Sequence, residues 1–393
     1  MKTNQAQNMN LLCFDMIGAK NVTPGKINLY AKGVDLQKDL EPIYHEDGSV
    51  TLFLVNPKAS KVELRYRKHN FKYSDPEYRK DPQFYSKDYV IEPMTKNEEG
   101  VWEITVKPGP GFHSVYFLVD GVTTINFRCP YDYDGSGIRN YVDLPDDEDT
   151  QLLNVPHGSV TREIFWCKQT ERFRVCWVYT PASYAKSDKE YPVVFIHHGG
   201  GQDETSWFYP GKTDLILDNL IAKGEAEEMI VVANCGYLYR DNGDGTVTQM
   251  KHDEMIVEDC LPMIEEKYRV KKDRHYRAAC GLSMGGGHTR RVVFGHTDLF
   301  ANVGIFSSGE LFPTVVEDTD FHGVFDSAEK FNSLMDVCFI TCGDADPRYD
   351  ETYRQVSELQ EKGYNIEYKG YQGQHEWNVW RYCFKDFAKK IFK

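Results

Sequence analysis

The sequence predicts a two-part chain, a small all-β sandwich followed by an α/β domain on a doubly wound, mostly parallel sheet. Three observations carry that expectation. Between about residues 20 and 145, short strand candidates are separated by Gly, Pro and Asp turns. Beyond residue 160, continuous apolar runs alternate with helix-period stretches, the pattern of strands covered on both faces. Finally, the apolar run ending in Ala279-Cys280 breaks into glycines around a single serine, Gly281-Leu282-Ser283-Met284-Gly285-Gly286-Gly287, and continues with helical spacing.

In the first part, residues 49–55, 61–66, 100–106 and 113–121 each supply a strand, and a small sandwich follows. The aromatic-rich stretch from Phe71 to Tyr85 reads as a long loop that packs or reaches a neighbouring site. Leu144-Pro145-Asp146-Asp147-Glu148-Asp149-Thr150 is a charged, Pro-containing break. The expected layout is therefore an extension over 1–20, the sandwich over 21–145, a linker over 146–160 and the α/β domain over 161–393.

In the second part, residues 172–179 and 191–197 read as strands, 215–223 as a helix and 229–234 as a buried parallel strand. Residues 254–268 form a helix with Pro262 as its expected kink. The serine strand and helix come next, then strands at 301–306 and 337–342. A helix presenting Tyr353, Val356 and Leu359 on one face and a last strand over 364–371 complete the alternation.

Composition narrows the function. A net charge of −14 with no basic run argues against nucleic acid and anionic membrane surfaces as partners, because both need clustered Lys and Arg. No stretch approaches the length of a membrane span, and Met1 to Gln7 lack the apolar core of a signal peptide. The expectation is a cytoplasmic protein, or a secreted or periplasmic one whose signal was removed. The ten cysteines are scattered singly, without metal spacing or a disulfide framework, and read as buried free thiols.

The glycine-flanked serine has a mechanical reading. A serine on a tight strand-to-helix turn needs neighbours without side chains two positions before and after it, and the turn aims the Met284 amide at the place where an oxyanion would form. Such a serine needs a base and an acid, which in a doubly wound hydrolase sheet follow it in that chain on later loops. Of His288, His296, His322 and His375, only His375 follows the last strand, in Tyr371-Gln372-Gly373-Gln374-His375-Glu376-Trp377. The strand over 337–342 ends in Gly343-Asp344-Ala345-Asp346-Pro347, and spacing leaves both aspartates open as the acid, with a helix cap as the alternative role for either. A second oxyanion donor is expected from His197-His198-Gly199-Gly200-Gly201, whose histidines read as packing and loop-fixing residues with no metal pattern. Asp241-Asn242-Gly243-Asp244-Gly245-Thr246 lacks a calcium-loop ligand set and reads as a hairpin turn.

With these residues placed, the carboxyl-terminal part from about 155 closely resembles the esterase D or putative-esterase family of α/β hydrolases. The resemblance runs through Asn154-Val155-Pro156-His157-Gly158, His198-Gly199-Gly200-Gly201, Gly281-Leu282-Ser283-Met284-Gly285-Gly286 and Gly373-Gln374-His375-Glu376-Trp377. Within that family it looks nearest to carbohydrate esterase family 1, the feruloyl and acetylxylan esterases. The first part, through Trp102, Pro108-Gly109-Pro110-Gly111-Phe112 and Tyr116 to Gly121, resembles the immunoglobulin-like early-set modules of carbohydrate-binding module family 48.

The resemblance implies Ser283 as nucleophile, His375 as base, Asp346 as acid and the amides of Gly200 and Met284 as the oxyanion hole. It implies removal of feruloyl groups from xylan or its oligosaccharides, with no metal and no cofactor. Trp207, Tyr237 and Trp377 lie next to catalytic-loop positions and could wall an aromatic acyl pocket. Gln374 stands where many relatives have glycine, a change expected to leave the loop able to turn. The other readings are an acetylxylan esterase, an enterochelin-esterase-like siderophore hydrolase, and a non-catalytic glycan-binding protein.

Overall fold

The computed structural model of the chain describes residues 40–68, 89–134, 137–309 and 321–393. The expected extension over 1–20 and the aromatic loop from Phe71 to Tyr85 lie outside them. The described residues divide into two compact units that meet in sequence between Leu153 and Asn154.

The first unit is all-β. Strands Val50–Val55 and Val101–Val106 form the middle of one sheet, while Val62–Arg67, Gly111–Val119 and Gly137–Leu144 are neighbours in the other. Strict alternation builds it: Val62, Leu64 and Tyr66 are buried and the residues between them half-exposed. These side chains join Leu52, Leu54, Trp102, Val115, Phe117 and Val142 in one core. Asp120 and Gly121 both take positive φ (49° and 85°) and turn the chain into Val122–Thr124, as a two-residue hairpin loop requires.

The second unit is an eight-stranded sheet flanked by helices. Its strands are β1 (Ser159–Cys167), β2 (Arg172–Thr180), β3 (Val193–His197), β4 (Ile230–Asn234), β5 (Arg277–Leu282), β6 (Asn302–Phe306), β7 (Val337–Gly343) and β8 (Glu367–Tyr371). They lie in the order β1-β2-β4-β3-β5-β6-β7-β8, with β1, β2 and β4 paired antiparallel and the rest parallel. This is an α/β-hydrolase sheet. Its central strands are apolar end to end because both faces are covered, and every residue of β3 through β6 is buried. Each fully buried Val, Ile or Phe in them contributes about 1.5–3 kcal/mol. The helices that matter to the site are α1 (Thr213–Lys223), α2 (Met284–Gly295), α3 (Tyr349–Glu361) and α4 (Trp377–Ala388).

The parallel register brings His197, Gly281, Phe306, Gly343 and Tyr371 to one edge of the sheet. Loops leaving that edge are where an open α/β sheet places a site. The stretch Asn154 to Gly158 is tied to α1. Asp218 of α1 accepts from the Gly158 amide (2.9 Å) and the Tyr179 hydroxyl (2.7 Å), and pairs with His157 Nδ1 at 2.8 Å.

Two expectations need correction. Pro262 does not kink a regular helix: residues Ile256–Cys260 widen into a π turn before Leu261–Lys267. Proline has no N–H for the carbonyl of Glu258, and Lys168 Nζ serves that oxygen at 3.2 Å. The nine cysteines among the described residues are free, yet Cys235 is only half-buried. The Asp241–Thr246 turn does join a short hairpin, Tyr239–Asp241 with Val247–Gln249. Among the described residues no helix is long and apolar enough to cross a membrane.

Candidate active site

Ser283 sits between β5 and α2 with φ 52° and ψ −118°, a conformation costing a non-glycine residue about 1–3 kcal/mol. Its surroundings enforce that geometry. A Cβ on Gly281 would lie 2.5 Å from the Gly285 carbonyl oxygen, and one on Gly285 would lie 2.3 Å from that of His197. The strand end, the helix start and the end of β3 thus touch backbone to backbone. Ser283 is fixed by its amide, which donates to Phe306 O at 2.9 Å, and by its carbonyl, which accepts from Gly286 at 3.0 Å. Met284 is the first residue of α2, so its N–H is one of those with no partner four residues back.

His375 stands on the loop between β8 and α4. Its Nδ1 lies 2.6 Å from Oδ2 of Asp346, which is fully buried on the loop after β7. Burial opposes ionisation of that carboxyl, but His375 and the Arg348 amide and guanidinium more than offset it and hold it below the usual carboxylate range. Asp344, the other candidate, accepts from the Gly373 amide at 3.0 Å and so fixes the histidine loop from behind.

The two loops are zipped together. The Asp344 and Ala345 amides donate to Tyr371 O (2.7 Å) and Gly373 O (2.9 Å). A Cβ on Gly343 would lie 2.5 Å from Gly373 O, so a glycine must end β7 for the histidine loop to cross it. The positive φ of that loop falls on Gly373 (138°), which is why glutamine is tolerated at 374.

Residues 168–322 match the family described as putative esterase. They form an esterase-family domain. The chain is 29% identical over 313 residues to the endo-1,4-β-xylanase/feruloyl esterase of Xylanibacter ruminicola, matching 76% of this chain but 41% of that protein. The chain therefore spans less than half the length of this curated relative. A ferulic acid esterase of carbohydrate esterase family 1 from the anaerobic fungus Anaeromyces mucronatus superposes with TM-score 0.53 at 25% identity, over 63% of this chain and 96% of the other. The enterobactin esterase of Shigella flexneri shares the fold at 12% identity, with TM-score 0.57 over 89% of this chain and 96% of the other.

Two of the three aromatics expected to wall an acyl pocket, Trp207 and Trp377, stand differently from that expectation. Trp207 and Trp377 are 1% and 4% exposed, with ring centroids 5.2 Å apart, and Trp207 Nε1 donates to His197 O. They brace the floor of the site and offer no open face. Tyr237 is half-buried, and its hydroxyl accepts from the Gly201 amide.

Several neighbours escaped sequence reasoning. Arg348 places Nη1 3.3 Å from Asp346 Oδ1 and 3.5 Å from His375 Nδ1. Trp380 sets its ring edge-on to His375 at 4.9 Å. Both are close to Asp346 or His375 in sequence, the one signal that could have flagged them. Beneath the elbow, His197, His252 and His288 pack ring to ring, with centroids 4.4 to 6.4 Å apart. Burial foremost, then neighbouring imidazoles, lowers the pKa of all three, with His288 brought to about 4. Among the described residues no group of three or more His, Cys, Asp or Glu is arranged to hold a metal ion.

Proposed function

We propose that the chain is a serine carboxylic-ester hydrolase that removes feruloyl groups from xylan or its oligosaccharides. The observation that carries the reaction is the pairing of His375 with the buried Asp346 on loops at the sheet edge from which the strained Ser283 turn also leaves. With Nδ1–H donated to Asp346, Nε2 of His375 carries the lone pair that a general base needs.

His375 takes the Ser283 proton, and the serine oxygen bonds to the ester carbonyl carbon. The carbonyl π pair moves onto its oxygen, held by the amides of Gly200 and Met284. Collapse expels the sugar oxygen, which takes the proton from His375. Water then repeats the sequence on the acyl-enzyme and releases the acid.

The acyl group is read from the relatives, whose names include feruloyl and ferulic acid esterase. The test is hydrolysis of methyl ferulate, acetylated xylo-oligosaccharide and ferric enterobactin side by side, with Ser283→Ala as blank. Ferulate release that vanishes in the variant is expected. A preference for the acetyl or siderophore substrate would keep the mechanism and replace the substrate. Inactivity on every ester, including a small activated one, would overturn the enzyme reading.

A further inference from the structure

A peptide unit is planar and trans, so its carbonyl oxygen and its N–H point in opposite directions. Whatever holds the oxygen of Gly199 therefore aims the N–H of Gly200. That oxygen lies 2.8 Å from Nδ1 of His198, a ring 1% exposed. We propose that His198 is a positioning residue, which turns the Gly200 amide toward the ester oxygen by donating from Nδ1 to Gly199. The inference rests on the serine-esterase reading above.

The tautomer this requires is imposed from the far side of the ring. Nε2 of His198 lies 2.8 Å from the amide nitrogen of Gly236, which can only donate, so Nε2 accepts and the proton resides on Nδ1. The loop carrying Gly236 is itself anchored, because Arg174 Nη2 donates to Cys235 O (3.1 Å) and Tyr237 O (2.9 Å). Burial also disfavours the charged imidazolium and keeps the ring neutral.

The amides on either side of Gly200 are engaged as well. Gly199 N donates to Gln202 Oε1 at 2.8 Å, and Gly201 N donates to the Tyr237 hydroxyl. Gly200 differs from Gly199 in its surroundings, since a Cβ placed on Gly200 would meet nothing within 4 Å whereas one on Gly199 would lie 2.5 Å from Leu282 Cδ1. A Cβ on Gly199 would lie 3.4 Å from Ser283 Cβ, so the aimed amide is beside the nucleophile. Arg174, the 235–237 loop, His198 and the Gly199–Gly200 peptide thus form one relay from β2 to the oxyanion site.

The test compares kcat and KM on methyl ferulate for the full chain and three His198 variants. His198→Asn keeps a donor near Nδ1, His198→Gln keeps an acceptor near Nε2, and His198→Ala keeps neither. We expect kcat to fall about 10- to 100-fold in the Gln and Ala variants with KM within about twofold, as for loss of an oxyanion contact. The Asn variant should retain at least about fivefold more kcat than Gln. A loss carried by KM, or a Gln variant as active as Asn, overturns the proposal.

If circular dichroism shows that the His198 variants do not fold, Tyr237→Phe, which removes the acceptor for Gly201, decides. A kcat about tenfold lower at unchanged KM supports the relay, and an unchanged kcat defeats it. Ser283→Ala runs in parallel: hydrolysis surviving there would defeat the esterase reading itself, whereas its loss beside a wild-type His198→Gln defeats only the relay.

Discussion

At the elbow, Ser283 is placed by backbone alone: Gly281, Gly285 and the end of β3 touch without a side chain between them. Across the sheet edge, backbone zips the loops of His375 and Asp346 together as well, but the two functional groups are aimed at each other by side chains, through a 2.6 Å hydrogen bond with Arg348 beside it. The difference teaches where each half should fail. A change at the elbow glycines is a steric event and damages the fold, whereas a change at the acid–base pair is an electrostatic event and leaves the fold intact.

The largest expected effect is chemical. Ser283→Ala or His375→Ala should lower kcat on methyl ferulate by about 10⁴-fold or more, with an unaltered far-ultraviolet spectrum. Retention of activity within about tenfold in either would break the comparison at its centre. Next, Asp346→Asn should cost about 10⁴-fold in kcat, since an amide can favour the wrong imidazole tautomer. Asp344→Asn keeps the carbonyl oxygen that accepts from Gly373 and should cost less than about tenfold. Equal losses in the two would mean that the structure does not distinguish the acids.

The steric half is tested by Gly285→Ala, whose Cβ would lie 2.3 Å from His197 O and 2.5 Å from His198 O. Urea unfolding should show a loss of about 3 kcal/mol. Gly287→Ala, two residues along α2 with nothing within 4 Å of the new Cβ, should be neutral or stabilising by up to about 1 kcal/mol. Similar losses in both would show that the contact at Gly285 is not what holds the turn.

A smaller effect is expected from pH. The imidazoles beneath the elbow have folded pKa values below their usual one, His288 near 4, so the unfolded chain binds more protons as the medium acidifies. Stability should therefore fall from about pH 6.5 downward toward pH 4, and rise as pH is raised through that window. His288→Leu should flatten the dependence of Tm on pH there. An unchanged slope would mean that these rings do not resist protonation.

How much of this was legible follows from the same contrast. Backbone sterics write glycine at fixed distances from Ser283, so the elbow could be read directly, and strand order singled out His375. The acid could not be chosen from spacing, because Asp344 and Asp346 flank one alanine and only the crossing loops decide which carboxylate meets the ring. Trp207 and Trp377 misled because a ring near a catalytic loop braces a floor as readily as it lines a pocket. Pro262 marked an irregularity in the sequence, read as a kink, but a proline alone does not say that the helix before it widens into a π turn over Ile256–Cys260. The relay through His198 was hidden because Gly236 and Arg174 come from other strands' ends.

The central claim is that Ser283 is the nucleophile activated by the His375–Asp346 pair. The most direct measurement is covalent labelling with an aryl fluorophosphonate, followed by intact-mass analysis and peptide mapping. The account predicts one adduct on the peptide carrying Ser283, absent in Ser283→Ala and formed much more slowly in Asp346→Asn. An adduct on another residue, or labelling that persists in Ser283→Ala, would contradict it.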